Sequence, residues 1–298
     1  MAAQKKVLIA GATGYLGQFL VKELKNQGYW TRAFCRDPKK IEPVKNYVDE
    51  LFVGQVTKPE TLKGICKGIE IIISSLGITK QKDGLTYMDV DYQGNRNILD
   101  ESLAENASKF MYISVFNAKK LRHLEIVKAK ERFAEDLKKA GLDHIIVRPN
   151  GFFSDMTEFF KMAQKGRVYL FGNGEFRGNP IHGADLAKAC VDYLNSGYGE
   201  LDIGGPEILS QNQIALQSFE VLKKKPKITH IPLWLKDLIM KFARTFTSSK
   251  TYGPLEFFLT VLAMDMIAPS FGKRTLKEYF KEINETSSME ISMFEGCV

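Results

Sequence analysis

The residue types best suited to chemistry lie near the start of the chain. Gly11-Ala12-Thr13-Gly14-Tyr15-Leu16-Gly17 follows the apolar run Val7–Ala10 and opens a stretch with Leu16, Phe19, Leu20 and Leu24 at helical spacing. A glycine loop between a strand and a helix aims backbone N–H groups and the positive helix end at an anion, so it predicts a pyrophosphate site. In that site Gly11 makes the tight turn, Gly14 admits the phosphates to the backbone and Gly17 lets the helix pack on the sheet. Thr13 and Tyr15 flank the phosphate path, and Leu16 belongs to the same loop. The spacing is GxxGxxG, one residue away from the GxGxxG fingerprint of dinucleotide sites. A site that prefers NAD carries an acid about 20 residues further on, where it accepts the ribose 2′-OH. Here that position reads Cys35-Arg36, followed by Lys39 and Lys40. A guanidinium with nearby ammonium groups suits a 2′-phosphate, which favours NADP, and Asp37 offsets part of that charge.

Those residues need a scaffold. Short β-branched runs alternate with longer stretches at helical spacing, the pattern of βαβ units. Strands are predicted at 7–10, 30–35, 51–53, 69–74, 110–114 and 143–147, with helices near 59–67, 88–105 and 123–140. The fold class is α/β: a Rossmann-type doubly wound parallel sheet, with a smaller, mainly helical C-terminal substrate subdomain. Six strands by residue 150 would complete the sheet, so residues 1–150 form the dinucleotide-binding core. Residues 151–286 form a substrate-side subdomain interleaved with it, and 287–298 a loose tail.

Composition narrows the function classes. The chain has 298 residues, 44% hydrophobic and 26% charged, the balance of a soluble globular protein. A net charge of +7 is too mild for a nucleic-acid groove and agrees with an anionic ligand. Cys35, Cys66, Cys190 and Cys297 lie far apart without CxxC spacing, which points to a reducing, cytoplasmic location. His123, His144, His182 and His230 share no metal-ligand spacing, so no metal is expected. The N-terminus breaks into glycines too early for a signal peptide, and no apolar run is long enough to span a bilayer.

Further motifs are Gly94-Asn95-Arg96-Asn97-Ile98, Tyr112-Ile113-Ser114, Val147-Arg148-Pro149, Asn179-Pro180-Ile181-His182-Gly183-Ala184-Asp185 and Gly204-Gly205-Pro206. Together with the glycine loop they make the chain resemble the short-chain dehydrogenase/reductase superfamily, as an atypical member of its NmrA-like branch. Its second half is similar to divinyl chlorophyllide 8-vinyl reductases. The resemblance implies a bound NADP(H), with Ser75, Leu76 and Gly77 beside the cofactor riboses, Val56 on the adenine ring and Pro149 at the cofactor site. The family's YxxxK pair falls on Ile126 and Lys130: the tyrosine is absent and the lysine remains, implied to hold the nicotinamide ribose and to supply a proton. The family serine falls at Ser114 or Val115. An isoleucine transfers no proton, which argues against carbonyl–alcohol interconversion by the usual route.

Two other segments invite a reading. Asp185 is expected to cap the helix that follows His182. The stretch 232–246 places Leu235, Leu238, Ile239, Phe242 and Phe246 on one helical face, with Lys236, Lys241 and Arg244 elsewhere. That period favours a core-facing helix and leaves peripheral membrane contact open. The sequence therefore predicts an NADP-dependent oxidoreductase, monomer or homodimer, acting on a hydrophobic, conjugated small molecule. The alternative is a non-catalytic NADP-binding redox sensor or assembly factor.

Overall fold

Parallel strands covered on both faces must be apolar on both sides, and β1 (Lys6–Ala10) is: Val7, Leu8, Ile9 and Ala10 are all fully buried. The computed structural model describes residues 4–78 and 84–295. In it β1 is followed by α1 (Tyr15–Asn26), β2 (Trp30–Cys35), β3 (Glu50–Val53), β4 (Ile71–Ser74), a π-helical turn (Met88–Gly94), α2 (Asn95–Ala104) and β5 (Lys109–Ile113). Next come the single turn α3 (Ala118–Leu121), α4 (Glu125–Lys139), β6 (Asp143–Pro149), α5 (Phe153–Gln164), β7 (Val168–Phe171), β8 (Arg177–Gly178) and α6 (Gly183–Ser196). The chain ends with β9 (Gly199–Ile203), β10 (Leu209–Ser210), α7 (Gln211–Val221), β11 (Ile228–Ile231), α8 (Leu233–Phe246), α9 (Ser249–Val261) and α10 (Leu276–Glu295).

The central sheet has the order β3-β2-β1-β4-β5-β6-β9, with every pairing parallel. The chain moves outward from β1 to β3, then crosses back to β4, so the switch in direction lies between β1 and β4. In such sheets a ligand binds outside the carboxyl ends of the strands at that switch. Val7 and Ile9 face one layer, built from α1 and α6, while Leu8 and Ala10 face the other, built from α2 and α4. On the second face Phe133 of α4 is fully buried, its ring 5.7 Å from that of Phe110 and 4.7 Å from that of Tyr112. A third cluster joins α5, α7 and α10.

Several expectations need correction. The sheet is not complete at residue 150: β9, from the second half, pairs with β6 as its seventh strand. It was hidden because its exposed Glu200 and Asp202 alternate with inner residues, as suits an edge. Residues 59–67 form a 3-10 turn, Pro59–Thr61, and further turns, because Gly64 sits at φ +79° and Gly68 at φ +70°. The cap of α6 is His182, whose Nδ1 accepts from the Ala184 N–H at 3.1 Å, while Asp185 pairs with Arg274 and accepts from the N–H groups of Lys273 and Arg274. The last helix runs to Glu295, past the point where a tail was predicted, since no glycine or proline interrupts it before Gly296. Residues 296–298 lie outside the described residues. Finally, α8 does not turn its apolar stripe to the core: Met240 is buried, but Trp234, Phe242 and Phe246 are exposed. No helix among the described residues is long and apolar enough to cross a membrane.

The aromatic contact of Phe133 with Phe110 and Tyr112 packs α4 on the face of the sheet. Phe133→Ala should therefore lower the unfolding free energy by about 3–5 kcal/mol, the usual range for deleting a buried aromatic ring. Urea denaturation of the variant beside the parent protein checks this.

Candidate functional site

Gly11 stands at φ +90°, a conformation that L side chains rarely adopt, and a Cβ on Gly17 would lie 2.0 Å from the Gly11 carbonyl oxygen. The loop can therefore close tightly onto the first turn of α1, which Gly14 caps. At the carboxyl ends of β1, β2 and β4 this leaves a cleft of about 360 Å³. Gly11, Thr13 and Gly14 form its floor, Arg36 and Lys40 its basic rim, Gln55, Val56 and Thr57 one wall, and Ser75, Leu76, Gly77 and Ile78 the other. Leu85 and Val90 close the far end.

The walls are held from behind by the turn that leads into α2. Asn97 Nδ2 donates to the Val56 carbonyl at 2.7 Å. Asn95 accepts from Ser74 Oγ at 2.5 Å and donates to the Asp91 carbonyl at 2.8 Å. Asp91 Oδ2 accepts the Ile78 N–H at 3.1 Å, and Asp91 Oδ1 lies 3.0 Å from Lys130 Nζ. The π-helical register brings Asp91 to this point, fully buried, where an ordinary helical turn would place a neighbour. A methyl group at Gly77 would sit 2.8 Å from Lys130 Nζ, so the ammonium stands directly behind the cleft wall.

Tyr112 completes this group, with Lys130 Nζ 5.7 Å from its ring centre. Burial pushes the Asp91 carboxyl up, and it also pushes the Tyr112 phenol up. Burial alone would lower Lys130, but the neighbouring Tyr112 and Asp91 reverse that and hold it above the ordinary lysine value. An ammonium so held stays charged at neutral pH and is a weak acid. It can stabilise negative charge or orient a hydroxyl, but it releases a proton reluctantly.

The structure thus brings Gly11, Thr13, Gly14, Arg36, Lys40, Val56, Ser75, Leu76 and Gly77 to one cleft, with Lys130 behind it. It turns others away. Leu16 is buried in the core, and the Tyr15 hydroxyl accepts from the Gly183 N–H at 3.1 Å, with its ring against Phe19 and Phe152. Pro149 is buried at the end of β6. Ser114 Oγ donates to Glu131 at 2.8 Å, and Glu131 is gripped by Arg148, so this serine serves a buried ion-pair network away from the cleft lining. Asp37, expected to offset the basic rim, accepts the Lys39 N–H at 3.0 Å and caps the 3-10 helix Pro38–Tyr47. Phe34, Thr57, Ile78, Leu85 and Val90 were missed as lining residues; Phe34, Thr57 and Ile78 lie at or just past strand ends, which was the available signal, whereas Leu85 and Val90 come from the segment before α2 and carried none. Asp91 was missed as well, and only its place three residues before Gly94 in the quoted motif pointed to it.

Among the described residues no cluster of histidine, cysteine and carboxylate side chains could hold a metal ion. The glycine floor, the basic rim and the apolar wall at Val56 do fit a dinucleotide, with phosphates, a ribose phosphate and an adenine respectively.

Comparison with known proteins agrees with this geometry. A family model described as NAD(P)H-binding matches residues 11–197. The chain is 26% identical to divinyl chlorophyllide a 8-vinyl-reductase, chloroplastic, of Cucumis sativus, over 93% of this chain and 75% of that protein. It is 25% identical to the photosystem II assembly factor Ycf39 of Guillardia theta, over 96% of this chain and 92% of that one. A solved structure of isoflavone reductase shares the fold with a TM-score of 0.69 at 19% identity, covering 94% of this chain and 100% of that one. The resemblance to atypical short-chain dehydrogenases/reductases is borne out.

A buried pair is far more costly to break than to lack. Asp91→Ala leaves Lys130 charged without its acid and should destabilise the fold by about 3–5 kcal/mol, whereas adding Lys130→Met to it should restore part of the loss. Chemical denaturation of the single and double variants measures both.

Proposed function

Since this chain belongs to the NAD(P)H-binding family, we propose that it is an NADPH-dependent reductase of carbon–carbon double bonds in a hydrophobic, conjugated small molecule. One observation carries the reading: Ile126, on which the resemblance puts the family's proton-donating tyrosine, is buried, while Lys130 is kept as a fixed cation behind the cleft wall. The glycine loop would hold the pyrophosphate, Arg36 and Lys40 the 2′-phosphate, and Val56 the adenine. Bound there, the dinucleotide supplies a hydride. Lys130 orients the adjoining ribose and stabilises negative charge that spreads into a conjugated acceptor. Carbonyl reduction needs a proton delivered to oxygen by a positioned acid, and the isoleucine removes it. Protonation at the end of a conjugated system can be left to water, so the double-bond chemistry tolerates the loss. Relatives named as vinyl reductases support this reading. The test is a panel of enones, quinones, isoflavonoids and vinyl tetrapyrroles, followed by loss of NADPH absorbance; turnover of a member bearing an activated double bond is the expected result.

A second reading, an NADP-binding redox sensor or assembly factor, is favoured by the same missing tyrosine and by the likeness to a protein named as an assembly factor. It expects saturable NADPH binding with no turnover on any member of the panel.

The basic rim sets the choice of nucleotide. A charge-assisted contact contributes about 1.5–3 kcal/mol, so Arg36→Ala should weaken NADPH binding by roughly ten- to over a hundredfold and leave NADH nearly unchanged. Calorimetric titration with both nucleotides checks it, and equal losses would make Arg36 a structural residue instead.

Lys130 separates clamp from acid. If it orients the ribose, Lys130→Met weakens NADPH binding while turnover at saturating NADPH persists. A fall in single-turnover rate of about 10²–10⁴-fold at full occupancy would instead mark it as the proton donor.

A further inference from the structure

Helix α8 carries its apolar side outward. Trp234, Leu238, Phe242 and Phe246 recur at every fourth residue and so form one line along the helix. They are 65%, 41%, 57% and 75% exposed, and the rings of Phe242 and Phe246 stack on each other at 5.8 Å. On its other side the helix buries Met240 and packs on α9. A row of large apolar side chains held in water on an ordered helix has a cost that an occupant removes.

The flanking charges say which occupant. Between 233 and 250 the chain carries Lys236, Lys241, Arg244 and Lys250 against the acid Asp237, and Arg244 also pairs with Glu256 of α9, so cations still exceed acids around the helix. A second copy of this face would bring the same cations together, whereas an anionic surface complements them. Lys236, its side chain only 18% exposed, pairs with Asp237 at 3.1 Å. A tryptophan at one end of the stripe and phenylalanines along the rest are the side chains that enter the boundary between headgroups and acyl chains.

We propose that α8 is an interfacial helix that docks this protein on an anionic lipid bilayer. The position of α8 gives the docking a purpose. Lys250, at the start of the partner helix α9, donates to the Gly84 carbonyl at 2.5 Å, next to the cleft residue Leu85. Further along α9, Phe257 and Val261 pack in the same cluster as Ile78 and Ile126. The surface that meets lipid is therefore one helix away from the far end of the cleft, and a lipophilic substrate could pass from the acyl layer to it. That last step rests on the reductase reading; the docking itself does not.

Flotation of the full-length protein with vesicles tests it, using phosphatidylcholine alone and phosphatidylcholine with about one third phosphatidylglycerol. The protein should float with the anionic vesicles, less with the neutral ones, and be released as salt screens the cations. In a Trp30→Phe background the emission of Trp234 should shift to the blue on anionic vesicles. Trp234→Ser combined with Phe242→Ser should weaken vesicle binding by at least about tenfold, with NADPH affinity of the same preparation unchanged as proof that the fold and the cleft are intact. Three results would overturn the proposal: no flotation with either vesicle, flotation unaffected by the double substitution, or self-association through these residues in sedimentation velocity without vesicle binding. Vesicle binding does not depend on turnover, so a silent substrate panel counts against the reductase and not against the docking.

Discussion

Opposite charges 3.0 Å apart in a site almost without water attract far more strongly than they would at the surface, and Asp91 with Lys130 is such a pair. The same seclusion makes either charge intolerable alone, so the two must be positioned together or not at all. Asp91 comes from the π-helical turn and Lys130 from α4, which fixes the spacing of two elements that are joined at their outer side by Tyr92, whose hydroxyl donates to Asp136 at 3.0 Å. The carboxylate also takes the Ile78 N–H, so the strand-end segment 74–78 inherits its place from the pair. One wall of the cleft is thus set by an electrostatic constraint, and the asparagines of the next turn carry it to Ser74 and to Val56 opposite.

This arrangement bears on the proposed exchange of a tyrosine for Ile126. In a mechanism built on tyrosine and lysine, the lysine depresses the phenol and the phenol anchors the lysine. On the function proposed above, Ile126, which lies in an apolar cluster, would take the place of that phenol, and the anchoring of Lys130 falls to a buried carboxylate. The lysine remains a cation of fixed position. Chemistry that needs only charge stabilisation survives such an exchange, whereas chemistry that needs a proton at a defined atom does not.

What could be read from residue order alone was what is local. The glycine loop, the continuous apolar strands and the basic residues after β2 declare themselves within a few positions, because a turn, a pleat and a helix stripe are short-range geometries. Contacts between distant residues were silent. Nothing near Lys130 names Asp91 as its partner, and nothing near Asp185 names Arg274. Ser114 reads as a strand-end serine ready for chemistry until Glu131 and Arg148 are seen to hold it. The stripe of α8 has the right period for a core helix, and period is indifferent to whether the apolar side faces protein or the outside.

The place of β9 has a consequence for how the molecule is made. A ribosome that has released the first 150 residues has delivered six strands and left β6 as an unpaired border, its N–H and C=O groups facing water. The residues that cover it, 199–203, arrive only after α5, the β7 region and α6 have been synthesised. Until then the nascent domain presents a template on which another chain could add itself, and its exposure lasts as long as translation of that interval. Glu200 shortens the hazard once it arrives, since on pairing it reaches Arg148 at 3.0 Å and ties the last strand to the interior of the sheet. Slow codons or a stalled ribosome in that interval would prolong the vulnerable state without any change in the finished protein.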